Sequence, residues 1–276
     1  MNSTTVTARY LHGYSAGETR RLGDQANSLA DLLHHDTRYP AGSRVLEAGC
    51  GVGAQTVHLL AGSPGIRLTA VDISAESLAT AGSRVAAGFP DARVAWLQAD
   101  LHELPFPPDT FDHVFVCFVL EHQSDPGRTL AALRRVLRPG GTLTVIEGDH
   151  GTIVAHPESA AARAVIGHLV RLQAAAGGNA LLGRTLQPLL TAAGFTGVEV
   201  TPRTLYADST RPRLMDSFTR DTFIAMAGSF RADALAAGLT TGARWDRGIT
   251  ELHRCATEGG TFQYSFFKAT ATGPAC

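Results

Sequence analysis

Three acidic residues recur at one kind of position. Glu47, Asp72 and Asp100 each stand at or just past the end of a short apolar run: Arg44 to Glu47, Leu68 to Val71 and Val94 to Leu97. The first leads into Ala48-Gly49-Cys50-Gly51-Val52-Gly53, three glycines spaced by two, and helical sequence from Ala54 to Leu60 follows at once. Glycine tolerates positive φ and puts no Cβ between backbone and ligand. The N–H groups of a starting helix face whatever binds there.

The spacing narrows the ligand. A dinucleotide fingerprint, G-x-G-x-x-G, holds pyrophosphate on the helix N-terminus. Here Glu47 precedes the first glycine by two residues, where a carboxylate repels phosphate and suits a cationic amino group. Asp72 can take two ribose hydroxyls. A ligand with a ribose and an ammonium but no phosphate is S-adenosylmethionine.

A second cluster, Glu147, Asp149 and His150, ends the predicted fifth strand. His150 can serve as a base near neutral pH, with Asp149 or Glu147 to orient it. The competing reading makes Gly148 and Gly151 the hinges of a bent linker whose polar residues face water. Glu121 and His122 end the fourth strand, just after Cys117 and Phe118; they either touch a substrate or hold the strand end. Cys50, Cys117, Cys255 and Cys276 have no metal or redox spacing, and no His/Cys/Asp pattern suggests a metal.

The elements that must position these groups alternate. The pattern predicts strands at 44–48, 67–71, 93–97, 111–117 and 142–147, with helices at 54–61, 75–87 and 126–136 between them. This is an α/β chain with a parallel, doubly wound sheet. A helix over 16–35 (Leu22, Ala26, Leu29, Leu32, Leu33) precedes the first strand. Helices over 159–176 and 183–193 lead to a sixth strand near Val198. Mostly helical sequence from Thr210 to Glu258 then separates it from a last strand, Phe262 to Lys268. The expected division is an N-terminal helical extension over 1–40, a Rossmann-like core over 41–209, a helical cap insertion over 210–258, and the last core strand and tail over 259–276. Tyr206, Met215, Phe218, Phe223 and Phe230 give the later segments an aromatic character that suits an apolar acceptor or an ordinary core.

Arg44 to Glu147 resembles a class I S-adenosylmethionine-dependent methyltransferase of the group that acts on small molecules. Glu47 to Gly53, Val71-Asp72-Ile73-Ser74 and Gln98-Ala99-Asp100-Leu101 carry the resemblance, with Leu120-Glu121-His122 and Leu137-Arg138-Pro139-Gly140-Gly141 in support. The resemblance implies a Rossmann-like fold with a seven-stranded sheet. It implies cofactor contacts from Gly49, Gly51, Gly53 and Gln55, and from Asp72 to the ribose. Ile73 packs on the adenine or ribose. Asp100 accepts from the adenine amino group, and the Leu101 N–H meets a ring nitrogen. Phe118 and His122 lie beside the methionine end, with Tyr14 over it. Tyr10 to Ser15 and Glu147 to Gly151 resemble a narrower set, actinobacterial enzymes that C-methylate indole alkaloids.

Composition bounds the rest. Net charge is −1 over 276 residues, so no basic field attracts nucleic acid. The polar N-terminus has no signal-peptide character, and no apolar run approaches a membrane span. A cytoplasmic enzyme that self-associates through its N-terminal helix is expected. The specific expectation is methylation of a small aromatic at carbon, namely C3 of a tryptophan-derived indole. The alternatives are O-, N- or quinone-ring methylation, or a cofactor-binding regulator without catalysis.

Overall fold

The computed structural model describes residues 26–274. Tyr10, Tyr14 and Cys276 lie outside the described residues. Helix α1 covers 26–34. The chain then runs β1 (Arg44–Ala48), α2 (Thr56–Gly62), β2 (Arg67–Asp72), α3 (Ala75–Gly88), β3 (Arg93–Gln98), β4 (Phe111–Cys117), α4 (Pro126–Val136), β5 (Leu137–His156), α5 (Ala160–Ala175), α6 (Leu186–Ala192) and β6 (Thr196–Ala207). A helical stretch follows: α7 (Pro212–Leu214), a π-helical segment Met215–Ile224, α8 (Ala225–Ser229), α9 (Arg231–Ala236) and α10 (Gly242–Cys255). Strand β7 (Thr261–Thr272) closes the sheet.

The seven strands lie in the order β3-β2-β1-β4-β5-β7-β6, parallel from β3 to β5 and antiparallel at β7. The order reverses between β1 and β4. The connections that follow these two strands leave to opposite faces of the sheet, and a crevice opens at the strands' carboxyl ends. The central strands are apolar on both faces because helices cover both. Val45, Phe115 and Ile146 enter one core cluster, and their neighbours Leu46, Val114 and Val145 enter the other. Helix starts follow their caps: Ser74 accepts from the Ser77 N–H, Asp125 from Arg128 with Pro126 in the first turn, and Ser159 from Ala162.

Two features bear on readings the sequence left open, whether the first helix only covers the sheet and whether residues 147–151 are a bent linker. Helix α1 belongs to the core: Leu29 and Leu33 are buried in the cluster that holds Phe115. Lys268 of β7 donates to Asp36 Oδ1 (2.5 Å), Thr37 Oγ1 (2.6 Å) and the Leu33 carbonyl (3.4 Å), which ties down the end of this helix. Arg203 of β6 also bonds Asp36. Second, residues 147–151 are not a linker. Strand β5 continues through them to His156, and its pairing with β7 shifts register between Asp149 and Val154.

Candidate active site

The loop after β1 is pinned from beneath. Gly49 and Cys50 donate to the Val71 carbonyl (2.8 and 3.0 Å), and Gly51 donates to Asp72 Oδ2 (2.8 Å). Asp72 Oδ1 accepts from Ser74 (2.9 Å), so one carboxylate at the end of β2 fixes both its own turn and the glycine loop. The glycines answer different needs. A Cβ at Gly49 would come within 2.6 Å of Val119, and one at Gly53 within 2.9 Å of Ala81. At Gly51, with φ +51°, a Cβ would meet nothing within 4 Å. Two of the glycines serve packing, and Gly51 leaves the open side of the loop clear for a ligand. Ile73 is the next side chain along and is 54% exposed, which is unusual for a large aliphatic beside a buried loop. Asp100 is also exposed and accepts from the His102 N–H (2.8 Å), with Leu101 buried behind it. Cradle, Ile73 and Asp100 fit a nucleoside lying across the ends of β1, β2 and β3.

Glu47 departs from expectation. It is only 2% exposed, and Thr56 donates to its Oε2 (2.7 Å). Burial pushes its carboxyl up to about 8, helped by the Asp72 charge and opposed by the Thr56 bond. It supports the loop from below and is absent from the wall of the cavity beside it.

That cavity, about 140 Å³, lies between the glycine loop, the end of β4, β5, β7 and the helical stretch after β6. Gln55 lines it and bonds His34 Nε2 of α1 (2.7 Å). Phe118 lines it with φ at +57°, a strained conformation for a bulky residue. This swings the chain out of β4 into the 3₁₀ turn Leu120–His122, and the Phe118 ring packs on Phe266 at 5.5 Å. The π-helical segment supplies the opposite wall. The Thr222 hydroxyl donates to the Ser217 carbonyl five residues back (2.7 Å), and Phe218 and Phe223, also five apart, both reach the cavity.

The acid cluster of β5 is organised differently from expectation. Glu147 is fully buried, and its Oε1 accepts from the N–H groups of Val119 (3.1 Å) and Leu120 (2.8 Å). Burial and the nearby Glu121 carboxylate push Glu147 well up, while those N–H groups pull it down. Asp149 is also fully buried and takes a bidentate pair from Arg184 (2.6 and 2.7 Å) plus the Gly151 N–H (2.9 Å). Neither carboxylate orients His150. Its Nδ1 lies 2.9 Å from the Tyr264 hydroxyl, and both residues line the cavity. Gly148 and His150, two residues apart, share the strand face that lines the cavity. Burial pushes His150 down to about 4 against the opposing pull of Asp149, so the imidazole is neutral through the physiological range. Tyr264 is pushed up by burial and keeps its proton.

His122 lines the cavity, with Nε2 3.6 Å from Glu121 Oε1. Glu121 lines it too, and burial raises its carboxyl to about 7 against a hydrogen bond from Gln173. Tyr264, Phe266 and Gln173 were not singled out by sequence reasoning. The run Phe262-x-Tyr264-x-Phe266, three aromatics on one face of a strand, was the available signal. Met215 and Phe230 are buried outside the cavity wall, and Tyr206 is exposed on β6.

Residues 46–145 match the methyltransferase domain family. Among curated proteins the chain is similar to 27-O-demethylrifamycin SV methyltransferase of Amycolatopsis mediterranei, 34% identical over 134 residues, or 49% of each chain. It spans between 24% and 55% of the length of the curated relatives it matches. Among solved structures it resembles geranyl diphosphate C-methyltransferase of Streptomyces coelicolor in complex with S-adenosyl-L-homocysteine (TM-score 0.51, 17% identity, 90% of this chain and 74% of that one). It also resembles the [4+2]-cyclase SpnF (TM-score 0.53, 21% identity, 92% and 81%), so the same fold hosts chemistry other than methyl transfer.

Proposed function

We propose that this chain, whose core is a class I S-adenosylmethionine-dependent methyltransferase domain, transfers a methyl group to a small, largely apolar aromatic molecule. The specific acceptor we propose is C3 of an indole in a tryptophan-derived metabolite. The observation that carries the reading is the continuity of the glycine cradle with a cavity walled by Phe118, Phe218, Phe223, Tyr264 and Phe266.

When bound, the cofactor supplies an electrophilic methyl on sulfur. The chain's part is to bind, align and keep water out. Gly51 and Asp72 would hold the ribose side and Ile73, Asp100 and Leu101 the base, with Phe118 and His122 toward the methionine end. The helical stretch over 210–258 acts as a cap: its Phe218 and Phe223 press an acceptor toward the loop. Alignment in a dry site accounts for a large part of the acceleration in such a displacement. The neutral His150–Tyr264 pair serves as a hydrogen-bonding partner for the acceptor. An imidazole held near 4 is a poor proton acceptor.

A second reading, methylation of a hydroxyl, draws on the rifamycin-modifying relative, whose name specifies a 27-O position. Incubation with the cofactor and parallel sets of indoles, phenols and amines separates the two. A product whose new methyl is on indole C3 by NMR is expected. Products methylated only on oxygen or nitrogen refute the indole assignment, and no transfer to any acceptor class refutes the enzyme reading.

A further inference from the structure

The cavity wall holds five aromatic rings and, among the described residues, a single carboxylate, Glu121. Ring faces are electronegative and attract cations, more strongly when water is excluded. Glu147 and Asp149, the neighbouring acids, are committed to backbone N–H groups and to Arg184. Glu121 is held from several sides. Its carbonyl accepts from Gln173 Nε2 of α5 (3.0 Å) and from the Asn179 N–H (2.7 Å). Glu147 fixes the turn that carries it.

We propose that Glu121 is the catalytic proton acceptor and the counter-charge of the acceptor site, and that the site favours acceptors that become cationic as the methyl arrives. This rests on the methyl-transfer reading above and names the acceptor class for it. As the acceptor's nucleophilic carbon forms its bond to the methyl, the sulfur–methyl bond breaks and sulfur keeps the electron pair. The acceptor gains one positive charge, spread onto its ring nitrogen. The rings and Glu121 stabilise that charge, the N–H proton passes to the Glu121 carboxylate, and Glu121 later returns it to water. An anionic acceptor, such as a phosphate ester or carboxylate, would face Glu121 and be rejected.

The groups around Glu121 support this assignment. His122 is on its own turn; β5 brings Glu147 and His150, β7 brings Tyr264, and β4 brings Cys117. Tyr264 and Cys117 are kept protonated by burial, and His150 is kept neutral. The α5 and π-helical walls bring uncharged Gln173 and Thr222. Burial raises the Glu121 carboxyl toward neutrality and lowers the His150 imidazole, so of the two Glu121 is the better proton acceptor at neutral pH.

The test uses the full chain with S-adenosylhomocysteine and compares a cationic probe, N-methylquinolinium, with its neutral analogue 1-methylnaphthalene by calorimetry. At about pH 8.5 the cation should bind about tenfold or more tightly than the neutral ring. The preference should shrink to about threefold or less near pH 5.5, where Glu121 is protonated, and at both pH values in Glu121→Gln. Equal affinity at the higher pH, or a preference that persists in Glu121→Gln, overturns the proposal. The wild-type pH arm needs no variant, and neither arm needs turnover, so the outcome is independent of whether an acceptor is ever methylated. Where turnover is found, Glu121→Gln should lower kcat by roughly 10²–10⁴ and abolish the acid limb near neutrality. An intact limb would remove Glu121 while leaving methyl transfer standing.

Discussion

Glu147 offers the sharpest separation between a base and a structural acceptor. Replacing it with alanine strands two buried donors, the N–H groups of Val119 at 3.1 Å and Leu120 at 2.8 Å. The third contact, Glu121 N–H at 3.4 Å, is too long to weigh much. A buried donor left without a partner costs about 1–3 kcal/mol. Against this, removing a carboxyl that burial has pushed well up recovers part of its desolvation cost. The net expectation for Glu147→Ala is a loss of roughly 2–4 kcal/mol, or about 5–15 °C in Tm for a chain of this size. Glu147→Gln keeps one carbonyl oxygen for Val119 and Leu120 but turns its amide toward the Glu121 N–H, so about 1 kcal/mol is expected. Urea unfolding of the three proteins at neutral pH measures both. An alanine variant within about 1 kcal/mol of wild type, or a glutamine variant as unstable as the alanine one, refutes the structural assignment.

Other outcomes follow from the same geometry. Asp72→Ala should weaken cofactor binding by about 1.5–3 kcal/mol and loosen the Gly51 and Ser74 turns; unchanged affinity by calorimetry would remove Asp72 from the site. Gly51→Val, with open space around its Cβ but φ at +51°, should lower Tm through backbone strain alone and lose cofactor binding, whereas Gly53→Val should lower Tm further because its Cβ also meets Ala81; thermal shift with and without S-adenosylhomocysteine separates the two. Glu47 is raised from 4.5 to about 8, so the stability it contributes is full below about 4.5 and is lost as pH rises toward 8. Glu47→Gln should therefore gain on wild type by a few kcal/mol across that window, and a pH-independent difference would contradict this.

Much of the scaffold was legible in the chain. Glycine spacing, acids at strand ends and alternating apolar runs specify a parallel sheet and a nucleoside cradle, because they reflect local steric and periodic rules. What escaped depended on distance or on backbone conformation. Asp149 and Arg184 are 35 residues apart, so no local pattern announces their pair. The left-handed backbone at Phe118 has no glycine to betray it. It creates the turn whose N–H groups claim Glu147, which the sequence offered as a partner to orient His150. In an α-helix Phe218 and Phe223 would splay to different sides; a π turn aligns them, and π turns leave no periodic signature. The aromatic strand face at Tyr264 is readable, because Phe262, Tyr264 and Phe266 alternate along one strand.

Among the described residues β7 is the last strand in sequence, yet it sits between β5 and β6 and is the one strand that β6 pairs with. Nascent β5 therefore waits with the edge of Leu143 to Ile146 unpaired while more than a hundred further residues are made. The pairing that seats β7 between β5 and β6 is long-range, and one of its own residues, Lys268, also ties down the end of α1. Closure of the sheet thus also completes the anchoring of the first helix. Folding should be slow for an α/β chain of this size, with an aggregation-prone intermediate that lacks β6 and β7. A peptide matching β7, supplied in trans during refolding, would compete for that open edge.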